Sequence, residues 1–160
     1  MNISTQLSKH FSLAEATYSI TALSLGLDNI PVAKILETVK NTALCLERVR
    51  TVLTDSPIQI SSWYRSPRVN QAVGSKFTSQ HIRGEAVDFT CPLFGSPLAV
   101  CKAIIARESD IKFDQLILEH TWVHISFAVS SASNRGQVLS LLATGKYASG
   151  LTNRQGQRYE

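Results

Sequence analysis

The strongest periodic signal in the chain begins at Val32. Val32, Ile35, Leu36, Val39, Ala43, Leu46, Val49 and Leu53 recur at three- and four-residue intervals, which is one face of a helix, and predict a helix of about six turns. Asp55-Ser56-Pro57 ends it. Upstream, Phe11-Ser12-Leu13-Ala14-Glu15-Ala16 has the form of a capping box, Ser12 as N-cap and Glu15 three residues later, and starts another helix. Leu25 to Pro31 follows as a turn. Ile58 to Tyr64 opens with the alternation of a half-buried strand, and Ser66-Pro67 then suits the N-cap and first position of a short helix over Arg68 to Val73, closed by Gly74.

Ser75 to Gln80 is polar and predicts a loop. Gly84 to Thr90 alternates again, with Gly84, Ala86 and Asp88 on one face and Val87 and Phe89 on the other, so small residues leave open space before the aspartate. A helix is expected from Leu98 to Arg107. Phe113 to Glu119 and Trp122 to Phe127 predict an antiparallel hairpin turning at His120-Thr121, in which Trp122, His124 and Ser126 face away from the core set Val123, Ile125 and Phe127. Beyond Asn134 the pattern supports one helix over Val138 to Ala143, then a loosely packed basic tail from about residue 145 carrying Lys146, Arg154 and Arg158. The whole predicts a single α+β domain over residues 1–160, a small antiparallel sheet with helices packed on one face.

Composition narrows the class. With 44% hydrophobic and 18% charged residues the chain has the makings of a soluble globular core rather than a disordered or membrane protein. Three cysteines, Cys45, Cys91 and Cys101, lack paired spacing and are expected as free, mostly buried thiols made in a reducing compartment. Met1 to Ile20 contains no continuous apolar run, so neither a signal peptide nor membrane insertion is expected, and synthesis in a cytoplasm follows. A net charge of +4 favours weak adhesion to a polyanion such as nucleic acid, an anionic membrane or an anionic cell wall. The basic residues form no clustered stripe, which argues against a nucleic-acid partner.

Candidate chemistry gathers in Ser79-Gln80-His81-Ile82-Arg83-Gly84-Glu85-Ala86-Val87-Asp88. His81 and Asp88 converge on one point if a turn leads into a strand, and His124, facing away from the core, offers a third ligand. Two imidazoles and a carboxylate suit zinc with the fourth tetrahedral position left to water, and they also suit other divalent metals. His10 and His120 have no such company and are expected as surface or hydrogen-bonded residues. Glu85 alternates away from Asp88 and is expected as a surface charge, and Cys91 as a buried thiol on the opposite strand face.

These residues resemble the zinc peptidases of peptidoglycan, a family that includes D-alanyl-D-alanine carboxypeptidases, D-Ala-D-Ala dipeptidases and bacteriophage L-alanyl-D-glutamate endolysins. Ser79, His81, Gly84, Ala86 and Asp88 match its first metal motif, and Trp122 and His124 its second. A third signature is met by Ser62-Trp63-Tyr64-Arg65 with Asn70, Trp63 departing from the usual pattern, and Lys9 to Glu15 is similar to the start of the phage-associated branch. The resemblance implies zinc on His81, Asp88 and His124 at the sheet edge, and Arg65 pairing with a substrate carboxylate or steadying the oxyanion. It further implies substrate contacts from Ser79, Tyr64, Trp122 and Ser126. Best-known members place an acid three residues before the last histidine. Thr121 stands there in this chain, so the base falls to Glu119, five residues before, with Asp114 in reserve.

The expected function is a zinc-dependent carboxypeptidase or endopeptidase cutting a peptide stem or cross-link of bacterial peptidoglycan, phage-encoded, either an endolysin released to the periplasm or a murein hydrolase carried with other virion proteins. Thr121 keeps open a catalytically inactive wall-binding or virion structural protein with the same fold. A metal-independent binding module, with both histidines merely buried, is a second alternative.

Overall fold

The computed structural model describes residues 5–129 and 133–159. The ends of the expected domain, residues 1–4 and 160, lie outside them. The capping box at Ser12 forms as the sequence predicts, the hydroxyl accepting from the Glu15 N–H and the Glu15 carboxylate accepting from the Ser12 N–H, and it opens α1, Leu13–Thr17. Ser19 then caps a second short helix, α2, Ile20–Leu25, which the sequence pattern did not predict as a separate element.

The long periodic segment is α3, Ala33–Val52. Its Val39, Ala43, Leu46 and Val49 are fully buried, and burial of each larger side chain contributes roughly 1.5–3 kcal/mol. They meet the inward faces of a six-stranded sheet: β1, Gln59–Ser62; β2, Ala86–Thr90; β3, Gln115–Leu118; β4, Val123–Ser126; β5, Gln137–Leu141; and β6, Tyr147–Ser149. Between these strands lie α4, Pro67–Ala72, capped by Ser66 as expected, then α5, Pro97–Ala106, and the single turn α6, Glu108–Ile111. Val87 and Phe89 of β2, Val123 and Ile125 of β4, and Leu116 and Leu118 of β3 pack with α3 and α5 in one core. The α+β class and the helices on the sheet follow the sequence.

Strand order is β1-β2-β4-β3-β5-β6. Described neighbours run antiparallel except β3 and β5, which run parallel, so the sheet is mixed rather than purely antiparallel. The segment expected as a helix over Val138 to Ala143 is therefore β5. Val138, Leu139, Leu141 and Leu142 satisfy a helical spacing, but β3 would otherwise end the sheet with an open backbone edge, and pairing with it decides the conformation. The expected loose tail also departs from the sequence reading. Tyr147–Ser149 pairs with β5, Thr152 is buried, and the Ser140 hydroxyl accepts from the Thr152 N–H at 2.9 Å.

Two features set the site face. A bulge between Ile60 and Ser62 shifts the β1 register so that Ser62 stands opposite Asp88. Beyond β1, Trp63 is fully buried edge-on to Phe11, and its indole N–H donates to the Gly84 carbonyl at 3.3 Å, which also accepts from Thr42 of α3 at 2.9 Å. Gly84 has φ 73°, and a Cβ there would meet Val39 Cγ2 at 2.6 Å, so glycine is needed both for the left-handed backbone and for the close approach of α3.

Candidate active site

His81 lies on a 3-10 turn, Gln80–Arg83, that the polar sequence from Ser75 did not reveal. Ser79 caps this turn through the His81 N–H, and Gly84 ends it. The turn is fastened to the end of the first strand: the Arg65 N–H donates to the His81 carbonyl at 3.2 Å, and His81 Nδ1 lies 2.7 Å from the Trp63 carbonyl. A carbonyl can only accept, so Nδ1 carries the proton and Nε2 is left with its lone pair facing the site. Burial pushes the His81 imidazole below its ordinary value against the pull of Asp88, which keeps it neutral and suited to ligate a cation.

Asp88 and His124 are direct cross-strand partners on β2 and β4. Being opposite each other, they project to the same side, and that side faces away from the helices. The site thus sits on the central strands, inward of the margin where the sequence suggested it. Asp88 Oδ1 is 2.8 Å from His124 Nδ1, Asp88 Oδ2 is 3.3 Å from His81 Nε2, and one potential ligand atom from each residue falls within 4.8 Å of the others. Tetrahedral zinc with bonds near 2.0–2.2 Å places its ligands roughly 3.4 Å apart, so the donor set and its spacing fit the metal. Arg65 supplies a fixed positive charge, NH2 donating to Asp88 Oδ2 and Nε to the Ser62 hydroxyl, each at 2.8 Å. Burial opposes ionisation of Asp88, but its pairing with the neighbouring imidazoles, including the hydrogen bond from His124, outweighs it and holds the carboxyl well below the usual range.

A cleft of about 780 Å³ opens over this cluster. Of the residues expected there, Arg65, Ser79, His81, Asp88, Glu119, Trp122 and His124 all line it. Glu119 arrives because the hairpin is tight. Leu118 pairs with Val123, the Glu119 N–H donates to the Trp122 carbonyl, and Thr121 N–H closes a three-residue turn onto the Glu119 carbonyl around His120 at φ 64°. Ile117 stands opposite His124, so two residues on, Glu119 projects to the same face. Burial raises the Glu119 carboxyl above its ordinary value, with neighbouring His124 working against this and Asp88 adding to it.

Two expected substrate contacts are not in the cleft. Tyr64 packs into the hydrophobic core, with its backbone carbonyl accepting from Asn29. Ser126 shares the face of His124 but is fully buried at the far end of β4, its hydroxyl accepting from the Gln115 N–H. Asp114, the reserve base, is buried and engaged by both Arg135 and Gln80. The Arg135 hydrogen bonds outweigh burial and hold its carboxyl low, which disqualifies it. Glu85 is likewise buried and paired with Arg83 instead of being a surface charge. Cys91 and Cys101 are buried as expected, and burial raises both thiols, Cys101 to about 12.

The cleft also contains residues that the sequence did not nominate, Lys76, Arg135 and Tyr147 among them. Tyr147 Oη donates to Glu119 Oε1 at 3.3 Å. The Thr144-Gly145 pair ahead of Tyr147, with Gly145 at φ 77°, is a turn signal that marks the β5–β6 hairpin. No described helix is long and apolar enough to cross a membrane. No curated protein matches the chain. A family model described as Peptidase M15 matches residues 9–126, a stretch that includes His81, Asp88, Glu119 and His124. That match covers well over half of the 160 residues, and the chain accordingly belongs to the peptidase M15 family of metallopeptidases.

Proposed function

We propose that the protein is a zinc-dependent peptidase that hydrolyses a bond in the peptide stem or cross-link of bacterial peptidoglycan, encoded by a phage and acting on the wall as an endolysin or from the virion. The observation that carries this reading is the meeting of the His81–Asp88–His124 donors with Glu119 and Arg65 in one cleft. His81, Asp88 and His124 would hold the metal. When bound, zinc supplies Lewis-acid polarisation of the scissile carbonyl and makes an attacking water acidic near neutral pH.

The protein's own groups divide the remaining work. Glu119 accepts the proton of the attacking water and passes it to the leaving amine, a role suited to a half-buried carboxylate whose affinity for protons is raised. Arg65 spends Nε and NH2 on Ser62 and Asp88, and its other terminal nitrogen has no protein partner among the described residues. That nitrogen is available to a substrate carboxylate or to the oxyanion that develops in the transition state. Ser79 and Trp122 both line the cleft. The net charge of +4 favours approach to an anionic wall.

The alternative of a catalytically inactive wall-binding or virion structural protein arises from Thr121. Glu119 at the cleft favours the enzyme, since it supplies the carboxylate that Thr121 lacks. Zymography on purified peptidoglycan separates the two: the enzyme reading predicts clearing that a chelator abolishes and zinc restores, whereas no clearing by the zinc-loaded protein contradicts it.

A further inference from the structure

We infer that Tyr147 is a positioning residue for Glu119, and that the β5–β6 hairpin fixes the acid-bearing turn above the metal-ligand cluster. The inference rests on the reading of Glu119 as the general base. Glu119 follows β3 beside the strained turn at His120, and such a turn does not by itself fix the carboxylate that flanks it. Restraint comes from the C-terminal hairpin instead. β5 runs alongside β3 past the Leu118–Ser140 pair, which brings Leu141 beside the turn, and its carbonyl accepts from His120 Nε2 at 2.6 Å. β6 folds back so that Tyr147 stands opposite Leu141, and the phenol reaches Glu119 Oε1. One hairpin therefore holds the turn through its backbone and the carboxylate through a side chain.

This arrangement divides the two carboxylate oxygens. An ionised carboxylate only accepts, so the phenol is the donor and Oε1 is committed. Oε2 has no protein partner among the described residues, and it is the oxygen left to receive a proton. A glutamate's last torsion is soft, so loss of the phenol would release the carboxylate to rotate. Tyr147 lies beyond residue 126, where the family match ends, so the contact belongs to this chain's C-terminal hairpin and not to the matched segment.

The test is Tyr147→Phe in the full, zinc-loaded chain, a change that keeps the ring and removes only the donor. With a peptidoglycan stem peptide, kcat is expected to fall about tenfold, the worth of one hydrogen bond to a charged group, with KM unchanged. The groups acting on Glu119 are His124, Asp88, His120 and Tyr147. Removing the phenol, which favours the ionised form, is expected to move the acid limb of the kcat/KM profile to higher pH. In a Glu119→Gln background the same change should cost nothing further. An unchanged kcat and acid limb, a rise in KM alone, or an equal loss in both backgrounds would overturn the inference. Carbon-13 titration of the Glu119 carboxyl in the zinc-loaded protein requires no turnover and so separates failure of this inference from failure of the peptidase reading. A midpoint that rises in Tyr147→Phe supports the contact, and identical midpoints refute it, whether or not the wild type cleaves a stem peptide.

Discussion

Replacement of Glu119 by Gln removes one negative charge and leaves the side chain's shape, including an oxygen able to accept from Tyr147. Its consequence can be worked from the cleft. Asp88 and Glu119 are the carboxylates that line it among the described residues, and Asp88 is bound to Arg65 and His124. Asp114 cannot substitute, because Arg135 and Gln80 occupy it and hold it ionised. No second base stands ready, so kcat should fall by what a positioned base contributes, roughly 10²–10⁴-fold. KM and zinc content should stay at wild-type values, since Glu119 is outside the ligand set. The wild-type profile provides a further check. Glu119 acts as a carboxylate and burial raises its pKa, so activity is present above that raised value and lost as pH falls through it, placing the acid limb above the ordinary glutamate range. Steady-state hydrolysis of a stem peptide measures both, and wild-type turnover by Glu119→Gln would refute the assignment.

Arg65→Lys keeps the charge but not the fork that spans Ser62 and Asp88, and kcat/KM should fall about 10–100-fold while elemental analysis still finds the wild-type zinc content. Asp114→Asn should cost about 1–3 kcal/mol in urea unfolding at neutral pH, less than a fully buried pair because Arg135 is more than half exposed and can return to water. Asp114's pKa is depressed in the fold, so its contribution is complete above the unfolded value near 3.9 and is lost as pH falls through the folded value; the gap between the two proteins should close in acid. Gly84→Ala places a side chain at φ 73° and against Val39, and should destabilise the fold by about 2–4 kcal/mol while weakening zinc binding through the His81 turn, as read by urea unfolding and metal titration.

Where local pattern and tertiary need agree, the fold is legible in the sequence. The stripe of α3, the Ser12 and Ser66 caps and the alternation of β2 and β4 each carry a period or a cap that the final packing also requires. The candidate metal-binding trio was readable for the same reason, since Asp88 and His124 lie on the polar face of strands whose other face is plainly apolar. Misreadings arise where long-range pairing decides. Val138 to Leu142 fits a helix by spacing, and only the open edge of β3 makes it a strand; with β5 come β6 and Tyr147, which no local signal tied to Glu119. Ser126 and Tyr64 show a second limit: a residue can lie on the correct face, or beside the correct arginine, and still be sealed in the core.

Mass analysis of peptidoglycan fragments after incubation with the zinc-loaded protein tests the central claim most directly. The account predicts products cut at one bond of the peptide stem or cross-link, each cleavage adding one water, lost with chelator and regained with zinc. Intact muropeptides recovered from a protein that carries one zinc per chain would contradict it.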